Sequence, residues 1–205
     1  MNVIKWVIVV LAAYFFGCFQ TGVFVSRAQN VDIRQHGSKS TGTTNIFRVL
    51  GAKASAITFA GDFFKGVLAC LIGKLLLGNA GASVAGILVV IGHMLPVTAK
   101  FKGGKGVATS IGTSVLLNPW LGLGLFGAGL VGVAFTHVVS IFSILGLIVF
   151  GILNPFFCGG DVFEIVYSLM LAALVTWAHR SNIKRLLNGT ENKLDFSRKD
   201  SKRVK

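Results

Sequence analysis

The chain has 205 residues, of which 53% are hydrophobic and 13% charged, and its mean hydropathy is +0.74. Soluble domains carry about 25% charged residues, so this composition excludes an ordinary water-soluble fold and points to lipid as the main solvent. The formal net charge of +13 does not make nucleic acid a partner, because the basic residues gather in the gaps between apolar runs and not along one soluble face.

Spanning a hydrocarbon core takes roughly 20 residues of apolar helix. Seven apolar segments stand out, at residues 3–26, 54–78, 81–99, 107–118, 120–136, 138–153 and 162–178. They predict an all-α, polytopic integral membrane bundle of about seven transmembrane segments. Within the first, the run of about 20 mostly apolar residues after Lys5 is longer than the signal-peptide core of about 7–15 residues, so it reads as a retained helix. The fourth is short for a crossing. The break at Asn118-Pro119 therefore suggests a broken or re-entrant element lining a cavity, and five or six spans is the alternative count. Small residues four apart, such as Gly124, Ala128 and Gly132, are candidates for close helix packing. Cys18, Cys70 and Cys158 are scattered in or beside apolar runs and read as small hydrophobes rather than a disulfide or metal set.

Orientation follows from lysine and arginine. Regions 27–53, 100–105 and 180–205 hold 17 of the 20 basic residues and fall on one side of a seven-span chain. The positive-inside rule makes that side cytoplasmic, with the N-terminus outside and the C-terminus inside. Residues 1–191 form one transmembrane domain. Residues 192–205 read as a basic cytoplasmic tail, solvated and disordered, within reach of anionic lipid.

Every polar cluster lies on that cytoplasmic side. The run HGSKSTGTTNIFR (36–48) offers Ser38, Thr44 and Asn45 as short donors, and Arg48 about one turn into the following helix as a phosphate contact. The alternative is a solvated loop with Asn45 or Thr44 as helix cap. In KFKGGKGVATS (100–110), Gly103 and Gly104 lie between lysines just ahead of a helix, the physical ingredients of a phosphate cradle around Lys105. It is not a P-loop, and a basic turn that only sets topology is its bland reading. AHRSNIKRLLNGTE (178–191) follows the last span. There Arg180, Lys184 and Arg185 can be read either as stop-transfer charges or as site residues, whereas His179 and Asn182 are harder to explain by stop-transfer.

At membrane depth, Asp62 and Lys65 are three residues apart on one helix face and predict an internal ion pair. His93 is a candidate for bonding a neighbouring helix. His137, Ser140 and Ser143 surround the next cytoplasmic gap. GLGLFG (122–127) matches a dinucleotide fingerprint in form only, since it lies inside a span and follows no strand. No clustered ligand set predicts a metal or other cofactor. No His is followed five residues later by Asp, and no hydrolase-type triad is apparent.

Taken together, GSKSTGTTNIFR, GDFFKG, GHMLPVTAKFKGGKGVATS, the Ser140/Ser143 segment and AHRSNIKRLLNGTE resemble, in order and spacing, the bacterial acyl-phosphate–glycerol-3-phosphate acyltransferases. The resemblance covers nearly the whole chain to about residue 191. It departs at residues 40–45, where SerThrGlyThrThrAsn replaces the usual Asn-Pro-Gly-Ala-Thr-Asn, and at His137, where an arginine is usual. It implies an enzyme of the bacterial inner membrane that transfers a fatty acyl group from long-chain acyl phosphate to the 1-hydroxyl of glycerol 3-phosphate. The products are lysophosphatidic acid and phosphate, with no metal or cofactor. By matched position it implies catalytic roles for His179, Lys105 and Ser143, and substrate-binding roles for Ser38, Thr44, Asn45, Arg48, Gly103, Gly104 and Asn182. The general base is left open between His179 and the donor phosphate. A transporter for an organic phosphate is the rival class, disfavoured by the lack of an internal repeat.

Overall fold

The structure, a computed structural model, describes residues 2–196. Among these, the regular structure is entirely helical: α1 (Asn2–Cys18), α2 (Thr21–Arg27), α3 (Thr43–Leu50), α4 (Ala52–Met94), α5 (Val107–Leu117), α6 (Pro119–Thr136), α7 (Val139–Phe157), α8 (Val162–Ala178) and α9 (Arg180–Leu187), with 3-10 turns at Ile33–Gln35 and Val97–Ala99. Four helices are long and apolar enough to cross a membrane, and α8 with α9, bent by 61°, makes a fifth candidate. Large apolar side chains such as Trp120 (89% exposed) and Phe156 (80%) face outward, which is costly in water and natural in lipid.

The long helix α4 is in fact a hairpin. Leu77 and Gly78 leave helical geometry, and Gly78 takes φ +66°, which a glycine adopts without strain. Residues 52–76 and 79–94 then run back along each other. Lys65 lies 2.8 Å from His93, whereas a straight helix would separate them by roughly 40 Å. The arms touch through Gly73 and Gly81, where a Cβ on either would lie within 2.3 Å of the other's carbonyl oxygen. This bears out the expected pair of segments on either side of residue 80.

Segment 3–26 is not one helix. It breaks at Phe19 and Gln20, and the freed polar groups find partners inside the bundle, as membrane depth demands. Gln20 donates to the His93 carbonyl at 3.1 Å and accepts from Thr41 at 2.7 Å. The Phe19 carbonyl accepts from Lys65 at 2.6 Å. The break at Asn118-Pro119 is as expected: Asn118 caps α6 through Leu121 N–H, and Pro119 occupies the first turn, where its missing N–H is harmless. Gly122 folds back onto Val115, so α5 and α6 form a second tight hairpin.

Close packing uses different small residues from those expected. Gly17 and Gly92 join α1 to the second arm of α4, and Gly66 and Gly112 join its first arm to α5, each where a Cβ would meet backbone. Gly124 faces open space, and of the α6 glycines expected to pack it is Gly132 that meets a neighbour, the Phe142 ring. The main core gathers Tyr167, Phe150, Leu171, Val175, Val89 and Val90. It holds the hairpins against α7 and α8 and opens toward one end of the bundle.

Candidate active site

At that end, three loop regions converge. Asn45, in the first turns of α3, is buried and fully engaged: its amide donates to the carbonyls of His36 at 3.1 Å and Ser40 at 2.8 Å, and its oxygen accepts from Ser38 N–H at 2.8 Å. It shapes the loop that presents Ser38 and Thr44 and has little left to offer a ligand. Arg48, one turn further, donates to the Asn192 carbonyl at 3.1 Å, while its Nε is buried without a partner. Burial lowers its guanidinium from the ordinary value, with Glu191 acting the other way.

The lysine loop lies on the end of α4. Gly104 N–H donates to the His93 carbonyl at 3.2 Å and Gly103 N–H to the Met94 carbonyl at 3.3 Å. A Cβ on Gly104 would sit 2.2 Å from His93 Nε2. These two glycines therefore serve close packing, and their amides are not presented to a phosphate as the sequence suggested. The available amides come later, in the first turn of α5, whose cap Gly106 (φ +78°) offers no side chain. Lys105 extends beside them and donates to Asn182 Oδ1. Burial pushes its ammonium down to about 8, with Arg185 and Arg48 adding to the fall and Glu191 opposing it.

His179 sits at the bend between α8 and α9. Its Nδ1 is 2.8 Å from the Val175 carbonyl, which can only accept, so Nδ1 carries the proton and Nε2 is left as an acceptor. Burial, then the charge of Lys105, pushes this imidazole down to about 4. Glu191 ties the region together: it accepts from Asn182 at 2.6 Å, Ser140 at 3.1 Å and Arg185 at 2.8 Å. The sequence reading marked Ser140 without giving it a site role and missed Glu191; the available signal was a carboxylate among Arg180, Lys184, Arg185 and Lys193.

Together these residues surround a cavity of about 410 Å³. Ser38, Thr44, Arg48, Lys105, His179 and Asn182 lie in its polar part, and Ser143 lines its wall beside Phe142. From there an apolar arm runs between α5, α6 and α7, past Leu130, Phe126, Leu147 and Phe150. Gly103 and Gly104 line instead an adjoining cavity of about 290 Å³ that shares Ser38, Ser40 and Lys105 with the first. Among the described residues no three His, Cys, Asp or Glu side chains gather closely enough to hold a metal ion.

Residues 192–196 are not a free tail. Leu194 N–H donates to the His137 carbonyl at 2.7 Å, and Phe196 packs edge-on to Phe47 and His137 at 5.5 and 5.2 Å. The folded domain thus extends past residue 191. Residues 197–205, the rest of the expected tail, lie outside the described residues.

Cations and amides at one end of a cavity and an apolar arm at the other define an enzyme that joins a phosphorylated polar molecule to a fatty chain. The glycerol-3-phosphate acyltransferase family model matches residues 7–189, and the chain belongs to that family. A glycerol-3-phosphate acyltransferase from a Thermoanaerobacter species is 48% identical over 92% of this chain and 95% of its own. One from Geobacillus kaustophilus is 40% identical over 95% and 98%. The crystal structure of PlsY, an integral membrane glycerol 3-phosphate acyltransferase, in its glycerol 3-phosphate form superposes with a TM-score of 0.87 at 34% identity, covering 93% of this chain and 96% of that one. Its lysophosphatidic acid form gives 0.85 at the same identity. The chain is accordingly an all-helical, multi-pass membrane acyltransferase.

Proposed function

We propose that this chain transfers a long-chain acyl group from acyl phosphate to the 1-hydroxyl of glycerol 3-phosphate at the cytoplasmic face of a bacterial inner membrane. The observation that carries this reading is the meeting of Lys105, Arg48, His179 and Asn182 at the polar end of a cavity whose other arm is apolar. Both substrates carry phosphate, which the Lys105 ammonium, the unpartnered Arg48 Nε and the first-turn amides of α5 suit by charge and donor geometry. The fatty chain occupies the apolar arm, with Ser143 near the reacting acyl carbon. Ser38 and Thr44 complete the polar wall, and Asn45, Gly103 and Gly104 act by fixing the two loops.

In the reaction the 1-hydroxyl oxygen attacks the acyl carbon, the bond from that carbon to the phosphate oxygen breaks, and phosphate leaves. The hydroxyl proton goes to the departing phosphate. The phosphate leaves the acyl carbon as a trianion, a far stronger base than an imidazole held down to about 4. His179 Nε2 therefore accepts a hydrogen bond from the neighbouring 2-hydroxyl and so aims the attack of the 1-hydroxyl. Positioning and charge stabilisation supply the acceleration, because the donor is already activated.

Seven crossings with the N-terminus outside and the C-terminus cytoplasmic fit this placement. In support, the loops 28–42 and 95–106, the turn at 137–138 and residues 179–196 meet at one end, and three of them carry nine of the 20 basic residues. The test is purified protein in detergent with glycerol 3-phosphate and either palmitoyl phosphate or palmitoyl-CoA. Lysophosphatidic acid formed from palmitoyl phosphate, with no vesicle present, is the expected result. Turnover with palmitoyl-CoA alone, or none with either donor, would overturn the reading.

A further inference from the structure

The strap at residues 192–196 lies beyond the family match, which ends at residue 189, yet it lies across the polar end of the cavity. It is pinned on three sides: Glu191 bonds Ser140 and Asn182, the Asn192 carbonyl accepts from Arg48 of α3, and Leu194 N–H donates to the His137 carbonyl at the turn between α6 and α7. Leu194 and Phe196 both line the cavity. Leu194 is buried, and Phe196, 54% exposed on its outer side, sets its ring against Phe47 and His137 from one wall to the other. Two apolar side chains in a surface strap, placed over cations and a histidine, contribute no polar contact to a phosphorylated substrate. What they do is take water-accessible surface away from the reacting end.

We propose that Leu194 and Phe196 form a water-excluding roof that directs the activated acyl group to the substrate hydroxyl and away from water. This rests on the acyl phosphate reading above. An activated acyl phosphate can react with either oxygen nucleophile. If water attacks, its oxygen bonds to the acyl carbon, the bond to the phosphate oxygen breaks, and free fatty acid, phosphate and one proton result. Excluding water from a closed site suppresses that side reaction. The strap also sets the position of Arg48 through the Asn192 carbonyl, so roof and phosphate contact are built from one segment.

The experiment is full-length protein in detergent with palmitoyl phosphate, at saturating glycerol 3-phosphate, measuring palmitate and lysophosphatidic acid in the same samples. Wild type should give almost only lysophosphatidic acid. Leu194→Ala and Phe196→Ala, made separately, should each raise the ratio of palmitate to lysophosphatidic acid several-fold, and Phe196→Leu should restore most of the discrimination. An unchanged ratio in either variant that retains transfer overturns the roof. Parallel loss of both products in both variants also overturns it, since the strap would then serve folding alone. If wild type makes no lysophosphatidic acid from palmitoyl phosphate, the acyl donor reading fails instead.

Discussion

Two buried clusters in this bundle are made of the same three residue types, a lysine, a histidine and a carboxylate. In the first, Lys65 donates to Asp62 at 2.8 Å, to the Phe19 carbonyl at 2.6 Å and to His93 Nδ1 at 2.8 Å, and Asp62 also accepts from Thr21 at 3.0 Å. All three ammonium hydrogens are used. In the second, Lys105 donates to Asn182 Oδ1, His179 keeps Nε2 as an acceptor, and Glu191 is occupied by Ser140, Asn182 and Arg185 rather than by the lysine. The first cluster welds α2 and the two arms of α4; its lysine is saturated and lies off the cavity, although Asp62 and His93 reach the cavity wall. The second is open, with ammonium hydrogens and an imidazole lone pair turned to the cavity. Residue type and burial do not separate structure from chemistry here; the unfilled hydrogen-bonding capacity of the lysine does.

The sharpest break of this comparison is Lys105→Ala. Removing one preorganised charge from a transition-state site lowers turnover by about 10²–10³-fold, so activity should nearly vanish while membrane insertion and thermal unfolding stay as in wild type. Lys105→Arg should rescue little, because the broad planar head is not equivalent beside the Gly104 and Gly106 backbone. Lys100→Ala, outside the cavity, should be nearly silent. Equal mild losses at both lysines would mean that the loop is only a topology signal.

Lys65→Met should behave in the opposite way. Breaking a buried ion pair from one side destabilises by about 3–5 kcal/mol, so the loss should appear in thermal unfolding and yield, with the KM of the surviving protein little changed. A stable Lys65→Met protein with a raised KM for glycerol 3-phosphate would move Lys65 from the closed class to the open one.

The contrast also marks what the sequence could reveal. Apolar helices were legible because length and apolarity are local properties, and the hairpin turn at Gly78 falls where the chain briefly turns polar. The Asp62–Lys65 pair was legible because helical spacing fixes which side chains meet. The break at Gln20 was not, because it is stabilised by Thr41 and His93, 21 and 73 residues away. Nor were the occupied amides of Gly103 and Gly104: a glycine-rich loop reads alike whether it approaches a ligand or a helix end, and only the His93 ring 2.2 Å from where a Cβ would stand decides it. Glu191, Leu194 and Phe196 act across the whole fold, and hydropathy alone assigns such residues to a tail.

His179→Gln gives a smaller effect that sharpens the open cluster. Were His179 the base, its loss would lower turnover by about 10²–10⁴-fold. An imidazole held down to about 4 is a poor proton acceptor, so a smaller loss is expected, with part of it in the KM for glycerol 3-phosphate. A full-sized fall in kcat at unchanged KM would assign the proton to His179 after all.

The smallest expected effect is in the pH profile, and its sign is fixed by the causes of each shift. Burial disfavours the charged form of Lys105, so its ammonium is present below about 8 and is lost as pH rises through that value. The profile of kcat/KM reports the free enzyme and should therefore fall on the alkaline side near that pH. Once a phosphate dianion is bound, the same ammonium is favoured, so the alkaline limb of kcat should lie at higher pH. His179 gains a proton only as pH falls through about 4, which places any acid limb of its own well below neutrality. His179→Gln should then leave the alkaline limb where it is. A kcat/KM profile that stays level well past the Lys105 value, or an alkaline limb that disappears in His179→Gln, would show that the cation at Lys105 is not the group whose charge the reaction requires.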